Sequence, residues 1–109
     1  MDVRITARHC SITDSVREVA QARVARLTRF EPRAAAAEVQ FTNDSPAKRV
    51  EVRLHVPGAT QFQAHGLGDS FRTALDRSVE HLERQLRRRR ARVRDHQGGR
   101  PVETLSLEP

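Results

Sequence analysis

A chain of 109 residues with Lys+Arg 20 against Asp+Glu 14, a formal charge of +6, is expected to form one small domain with a modest core. No apolar run approaches the roughly 20 residues that span a bilayer, and the opening MDVRITARHC lacks the apolar stretch of a secretory signal, so no membrane role and a cytoplasmic location are expected. Cys10 is the one cysteine and Lys48 the one lysine, which excludes an internal disulfide and leaves the positive charge to arginine, whose planar fork suits bidentate phosphate contacts.

Asp2 to Arg8 alternates, with Val3, Ile5 and Ala7 on one side and Arg4, Thr6 and Arg8 on the other, the period of a half-buried strand. Thr13 then stands at a helix N-cap with Asp14 at the first helical position, favourable for the amide dipoles. The helix SVREVAQARVARLTRF puts Val16, Val19, Ala20, Val24, Leu27 and Phe30 on one arc, and Pro32 ends it. Arg23 falls among those apolar positions. Its stem can lie along the core edge while its head snorkels out, an arrangement that also suits a fork aimed at a ligand.

Glu38 to Thr42 alternates again, with Val39 and Phe41 inward. Asn43, Asp44, Ser45 and Pro46 are turn residues, and Arg49 to Val56 then gives the cleanest alternation in the chain. Pro57 and Gly58 predict a tight turn, with Pro presetting one torsion and Gly taking the positive one. A weaker strand from about Thr60 to His65 carries Phe62 and Ala64 inward. Gly66, Leu67 and Gly68 are expected to break the chain, and Asp69 to cap a long helix over Asp69 to Arg94. Its stripe is Phe71, Ala74, Leu75, Ser78, Val79, Leu82, Leu86 and Val93, and its other faces carry arginine in growing density toward the C-terminal turns.

The order is β-α-β-β-β-α. A helix between the first two strands allows a right-handed crossover between parallel neighbours, and two short loops demand antiparallel ones. Since the alternation leaves the other face of every strand polar, both helices must cover the same face. The fold class is therefore an α/β two-layer sandwich, a four-stranded mixed sheet with both helices on one side, over residues 1–94. The stretch 95–109, DHQGGRPVETLSLEP, reads as a flexible C-terminal tail.

An enzyme is not indicated. His9, His55, His65, His81 and His96 are scattered, with no pair at the helical spacing that metal ligation favours, so no metal and no cofactor are expected. His55 and His65 could face each other on adjacent strands. The outward sheet residues include no aromatic, and the four Phe residues take inward positions, so stacking of bases on the sheet is not expected. What remains is contact by arginines with the backbone of a folded RNA. The run Arg87 to Arg90 wraps the last turns in charge, which Glu80 to Arg84 and Glu83 to Arg87 spacings offset only in part.

The opening VRITARHCSITDSVREVAQARVARLTRF, ALD at Ala74 to Asp76 and LERQLRR at Leu82 to Arg88 resemble the hibernation-promoting factor family, which includes the ribosome-associated inhibitor of bacteria. The resemblance covers residues 1 to about 94, departing where the family has a DMY-type triplet and this chain has Asp69, Ser70, Phe71. It implies a factor that sits in the decoding region of the small (30S) ribosomal subunit, on 16S rRNA at the A and P sites, and blocks translation without catalysis. The family's basic contacts to rRNA carry over onto Arg8, Arg23, Arg26, Arg84, Arg87 and Arg88. The resemblance further implies a short form, monomeric off the ribosome, with any pairing of ribosomes left to a separate protein. A generic structured or double-stranded RNA-binding module and a protein-interaction domain are the alternatives from the residues alone.

Overall fold

The computed structural model describes residues 1–59 and 61–98, with side chains up to residue 92. The chain runs β1 (Asp2–Arg8), α1 (Asp14–Ala25), a 3₁₀ turn (Arg26–Arg29), β2 (Ala36–Asp44), β3 (Ala47–His55), β4 (Phe62–Gly68) and α2 (Phe71–Gly98). The sheet order follows the chain, β1-β2-β3-β4. β1 and β2 are parallel, in the register Asp2 to Ala36 through Arg8 to Thr42; the two later pairs are antiparallel, with Val39 opposite Val52 and Val52 opposite Ala64. This is the two-layer α/β sandwich that the alternation predicts.

Each element has a local cause. Thr13 caps α1 through its hydroxyl, which accepts from the Val16 amide at 3.2 Å. Val56 to Ala59 close a turn through a 3.1 Å bond from the Ala59 amide to the Val56 carbonyl, with Gly58 at φ 75°, the positive torsion required of the third residue in a type II turn. Between the layers, Val39, Phe41, Val50, Val52 and Leu54 from the sheet meet Ala20, Val24, Leu75, Val79, Leu82 and Leu86 from the helices, all buried. At about 1.5–3 kcal/mol for each large side chain, this burial drives the layers together.

The structure corrects the sequence reading at five places. The first helix does not run evenly to Phe30; after Ala25 it tightens to 3₁₀ geometry, which puts Leu27 and Phe30, three apart, on one side. β2 is longer than Glu38 to Thr42, and β3 starts before Arg49, because their ladder extends from Ala36 opposite His55 to Asp44 opposite Ala47, leaving Ser45 and Pro46 as the turn. Gly66, Leu67 and Gly68 continue β4 rather than break it. A Cβ on Gly66 would sit 2.4 Å from the Ala74 carbonyl oxygen, and one on Gly68 would sit 2.9 Å from Thr73 Cβ, so these glycines let α2 lie on the strand. Ser70, not Asp69, caps α2: its hydroxyl accepts from the Thr73 amide at 3.1 Å. Finally, α2 continues past Arg94 to Gly98, so the first residues of the predicted tail are helical; 99–109, Thr60 and the side chains of Val93 and Arg94 lie outside the described residues.

Candidate nucleic-acid interface

The two helices meet along a seam held by charge. Arg23 on α1 donates to Asp76 on α2, and Arg72, one turn before Asp76, approaches the same carboxylate at 3.9 Å. The awkward placement of Arg23 on the apolar arc is thus explained by a partner on the other helix. Further along, Arg87 lies over the Phe30 ring at 5.6 Å, within range of a cation–π contact. Arg90 donates to the Arg29 carbonyl at 3.4 Å. Beside them Arg89 turns inward, donating to Glu31 at 2.5 Å and lying 5.4 Å from the Phe62 ring. Glu31 is only 9% exposed, and its other oxygen accepts from the Arg33 amide at 3.1 Å.

The solvent side of α2 differs. Arg84, Arg87 and Arg88 stand at i, i+3 and i+4, the spacing that places side chains together on a helix surface, and all three are exposed. None pairs with a carboxylate among the described residues, and the spacings from Glu80 and Glu83 are not used as ion pairs. Arg26, in the 3₁₀ turn beside Phe30, is likewise exposed and unpaired. Five of the six predicted contact residues therefore belong to the helix layer. Arg23 differs from the other four in being tied to Asp76.

Arg8 stands apart. It lies on the open face of the sheet, where it helps line a hollow of about 320 Å³ with Arg49, Arg53, Asp44 and Glu51. Charge on that face is mixed, as Arg53 lies 3.8 Å from Glu38 and 3.5 Å from Glu51. No aromatic ring points out of the strands. His55 and His65 do not face each other, since Glu51 is the residue opposite His65 and the β3–β4 ladder ends with Leu54 opposite Phe62; His55 closes β3 while His65 lies in the middle of β4. Among the described residues no group of three or more His, Cys, Asp or Glu side chains could hold a metal ion, and no helix is long and apolar enough to cross a membrane. Cys10 is half-buried, its thiol donating to the Phe41 carbonyl at 3.6 Å.

The free border of β4 is covered from α2. Arg77 donates to the Leu67 carbonyl at 2.6 Å, His81 Nδ1 to that of His65 at 3.0 Å, and Gln85 to that of Gln63 at 3.0 Å. A carbonyl only accepts, so Nδ1 is the donor in the His81 contact. Steps of four along the helix match steps of two along the antiparallel strand, because four helical rises span about 6 Å and two strand rises about 6.6 Å.

A mixed four-stranded sheet backed by two helices, with Arg84, Arg87 and Arg88 exposed on α2 and lacking a carboxylate partner among the described residues, defines a small α/β module with a basic helix layer. The Sigma 54 modulation protein / S30EA ribosomal protein family matches residues 3–94, and the chain belongs to that family. It is 32% identical over 104 residues to the ribosome hibernation promotion factor of Deinococcus radiodurans, covering 90% of this chain and 54% of that one. It is 28% identical over 105 residues to the ribosome hibernation promoting factor of Azotobacter vinelandii, covering 95% and 97%. The chain spans about half the length of the Deinococcus relative and nearly all of the Azotobacter one. Among solved structures, the N-terminal domain of Thermus thermophilus Protein Y superposes with a TM-score of 0.71 at 27% identity over 81% of this chain and 98% of that one. A ribosomal subunit interface protein from Coxiella burnetii superposes at 0.77 with 21% identity, covering 84% and 99%, which shows the shared fold.

Proposed function

We propose that this protein is a ribosome hibernation factor that occupies the decoding region of the small ribosomal subunit, across the A and P sites, and silences translation by steric exclusion. The observation that carries this reading is the exposed, carboxylate-free cluster Arg84, Arg87 and Arg88 on a family fold whose relatives bear the name of hibernation factors. Arg26 adds a fourth exposed guanidinium without a carboxylate partner among the described residues, from the neighbouring turn. Arg23, oriented by Asp76, touches the RNA along the helix seam, and Arg8 makes a separate contact from the sheet face. The role requires binding and no bond-making step, in the cytoplasm, by a chain that is monomeric off the ribosome.

Sedimentation with purified small subunits tests this. The wild-type protein pellets with them and inhibits translation in vitro, and its affinity falls about a thousandfold or more between about 50 and 200 mM salt, as expected where six to ten phosphates are contacted. Arg84→Ala/Arg87→Ala/Arg88→Ala loses the subunit while its thermal midpoint moves by only a few degrees. Wild-type protein that stays in the supernatant, or a triple variant that binds like wild type, refutes the proposal. Equal affinity for plain duplex RNA and for subunits supports a generic RNA-binding module instead.

A further inference from the structure

Phe30 packs against the core cluster yet keeps part of its ring in solvent, beside the guanidinium of Arg87 at the helix seam. It is half-buried, at the end of the 3₁₀ turn, and it forms the shared wall of two adjoining hollows. One, of about 340 Å³, is bounded by Phe30, Arg87, Arg90 and Ala91; the other, of about 170 Å³, lies toward Pro32, Arg33 and Leu86. The larger is at the lower end of the range for small-molecule sites, roughly 300–1,000 Å³. Its floor is apolar and its rim is guanidinium. The nearby carboxylate, Glu31, is engaged by Arg89 and by the Arg33 backbone, so it does not neutralise Arg87 or Arg90.

An aromatic ring with a guanidinium over it, beside a second guanidinium, matches one ligand chemistry well. A base stacks on rings and on arginine planes, and the phosphate attached to it takes the neighbouring fork. A fully paired duplex cannot use such a site, because its base faces are buried in the stack. We infer that the Phe30–Arg87–Arg90 cleft receives a single unpaired nucleotide of the bound RNA, its base against Phe30 and Arg87 and its phosphate at Arg90. This deepens the proposed function, on whose RNA-binding reading it rests. It gives the helix layer a means to distinguish irregular, folded RNA from regular duplex.

The test uses the full chain and two short RNA duplexes that differ only in one unpaired 2-aminopurine, with affinity read by anisotropy and stacking by 2-aminopurine fluorescence. Wild type is expected to prefer the bulged duplex by about tenfold or more, the size of one stacked base, and to quench its fluorescence. Phe30→Leu, which keeps an apolar plug, abolishes the preference and the quenching while leaving the salt dependence intact. Arg90→Gln, at an exposed position where the glutamine amide can still reach toward the Arg29 carbonyl, lowers the preference severalfold while the thermal midpoint, measured alongside, stays within a few degrees of wild type. Equal wild-type affinity for the two duplexes overturns the inference, as does a preference that persists in both variants. Sedimentation separates the two claims. Wild type that pellets with small subunits but ignores the bulge refutes the cleft alone, whereas wild type that selects the bulge but not the subunit refutes the ribosomal reading alone.

Discussion

Arg88 and Arg89 are neighbours in a run of four arginines, yet a rotation of about 100° along the helix gives them unrelated tasks. Arg88 is exposed without a carboxylate, while Arg89 closes on the buried Glu31 and on Phe62. Arg89→Ala strands a carboxylate away from water and should cost about 2–4 kcal/mol, somewhat less than for a fully buried pair because Arg33 remains beside Glu31. Arg88→Ala should stay within about 0.5 kcal/mol of wild type. Urea denaturation midpoints compare the two, and equal losses would show that Arg89 is no more structural than its neighbour. The sequence did not reveal this division. Nothing in a run of four identical residues marks the one that turns inward, and its partner lies 58 positions away. Arg23 was legible as a conflict between charge and burial, but its resolution by Asp76 was not, for the same reason of distance along the chain.

At the scale of elements, periodicity carried most of the fold. Alternation located all four strands and the stripe from Ala74 to Leu86 located α2, because side-chain direction follows directly from backbone period. The failures came where a residue's role depends on its neighbour in space. Gly66 and Gly68 look like chain breakers until α2 is laid across β4, where the absence of a side chain is what the packing requires. Gly66→Ala is therefore expected to be strongly destabilising, since the atoms in its way are the backbone of α2 rather than movable side-chain ends. A loss of about 2–3 kcal/mol lowers the thermal midpoint by roughly 10–20 °C in a domain of this size. A midpoint within a few degrees of wild type would mean that α2 is seated less tightly on the strand than these distances indicate. The 3₁₀ turn was equally hidden, because Leu27 and Phe30 fit a helical arc almost as well as they fit the tighter one.

For the whole molecule, the sandwich separates its surfaces. The helix layer gathers Arg23, Arg26, Arg84, Arg87 and Arg88, and the sheet face mixes its arginines with carboxylates, Arg53 pairing with Glu38 and Glu51 and Arg4 with Asp2, so the charge pattern is two-sided although composition reports only a sum. The candidate site was legible as a set of residue types and not as a shape: Arg8 was grouped with the others although it lies on the far side of the sheet. The sheet's two borders are also unlike. At β1 the Asp2 amide bonds to the Ala35 carbonyl of the neighbouring chain segment, so alternation turns the backbone groups of Val3, Ile5 and Ala7 outward, and no side chain among the described residues meets them. At β4 the outward carbonyls are occupied by Arg77, His81 and Gln85. Arg77→Ala/His81→Ala/Gln85→Ala removes that cover and should yield a folded protein that self-associates on concentration, followed by light scattering and thioflavin fluorescence; a triple variant that stays as dispersed as wild type would show the cover to be dispensable.

A ribbon with one sealed margin has a terminator built into it. Were copies to add strand to strand through β1, they would stop at a pair, since joining would consume the single open end each contributes and leave nothing for a third to join. Fibre growth needs two reactive ends per subunit, and three side chains of α2 remove one of them.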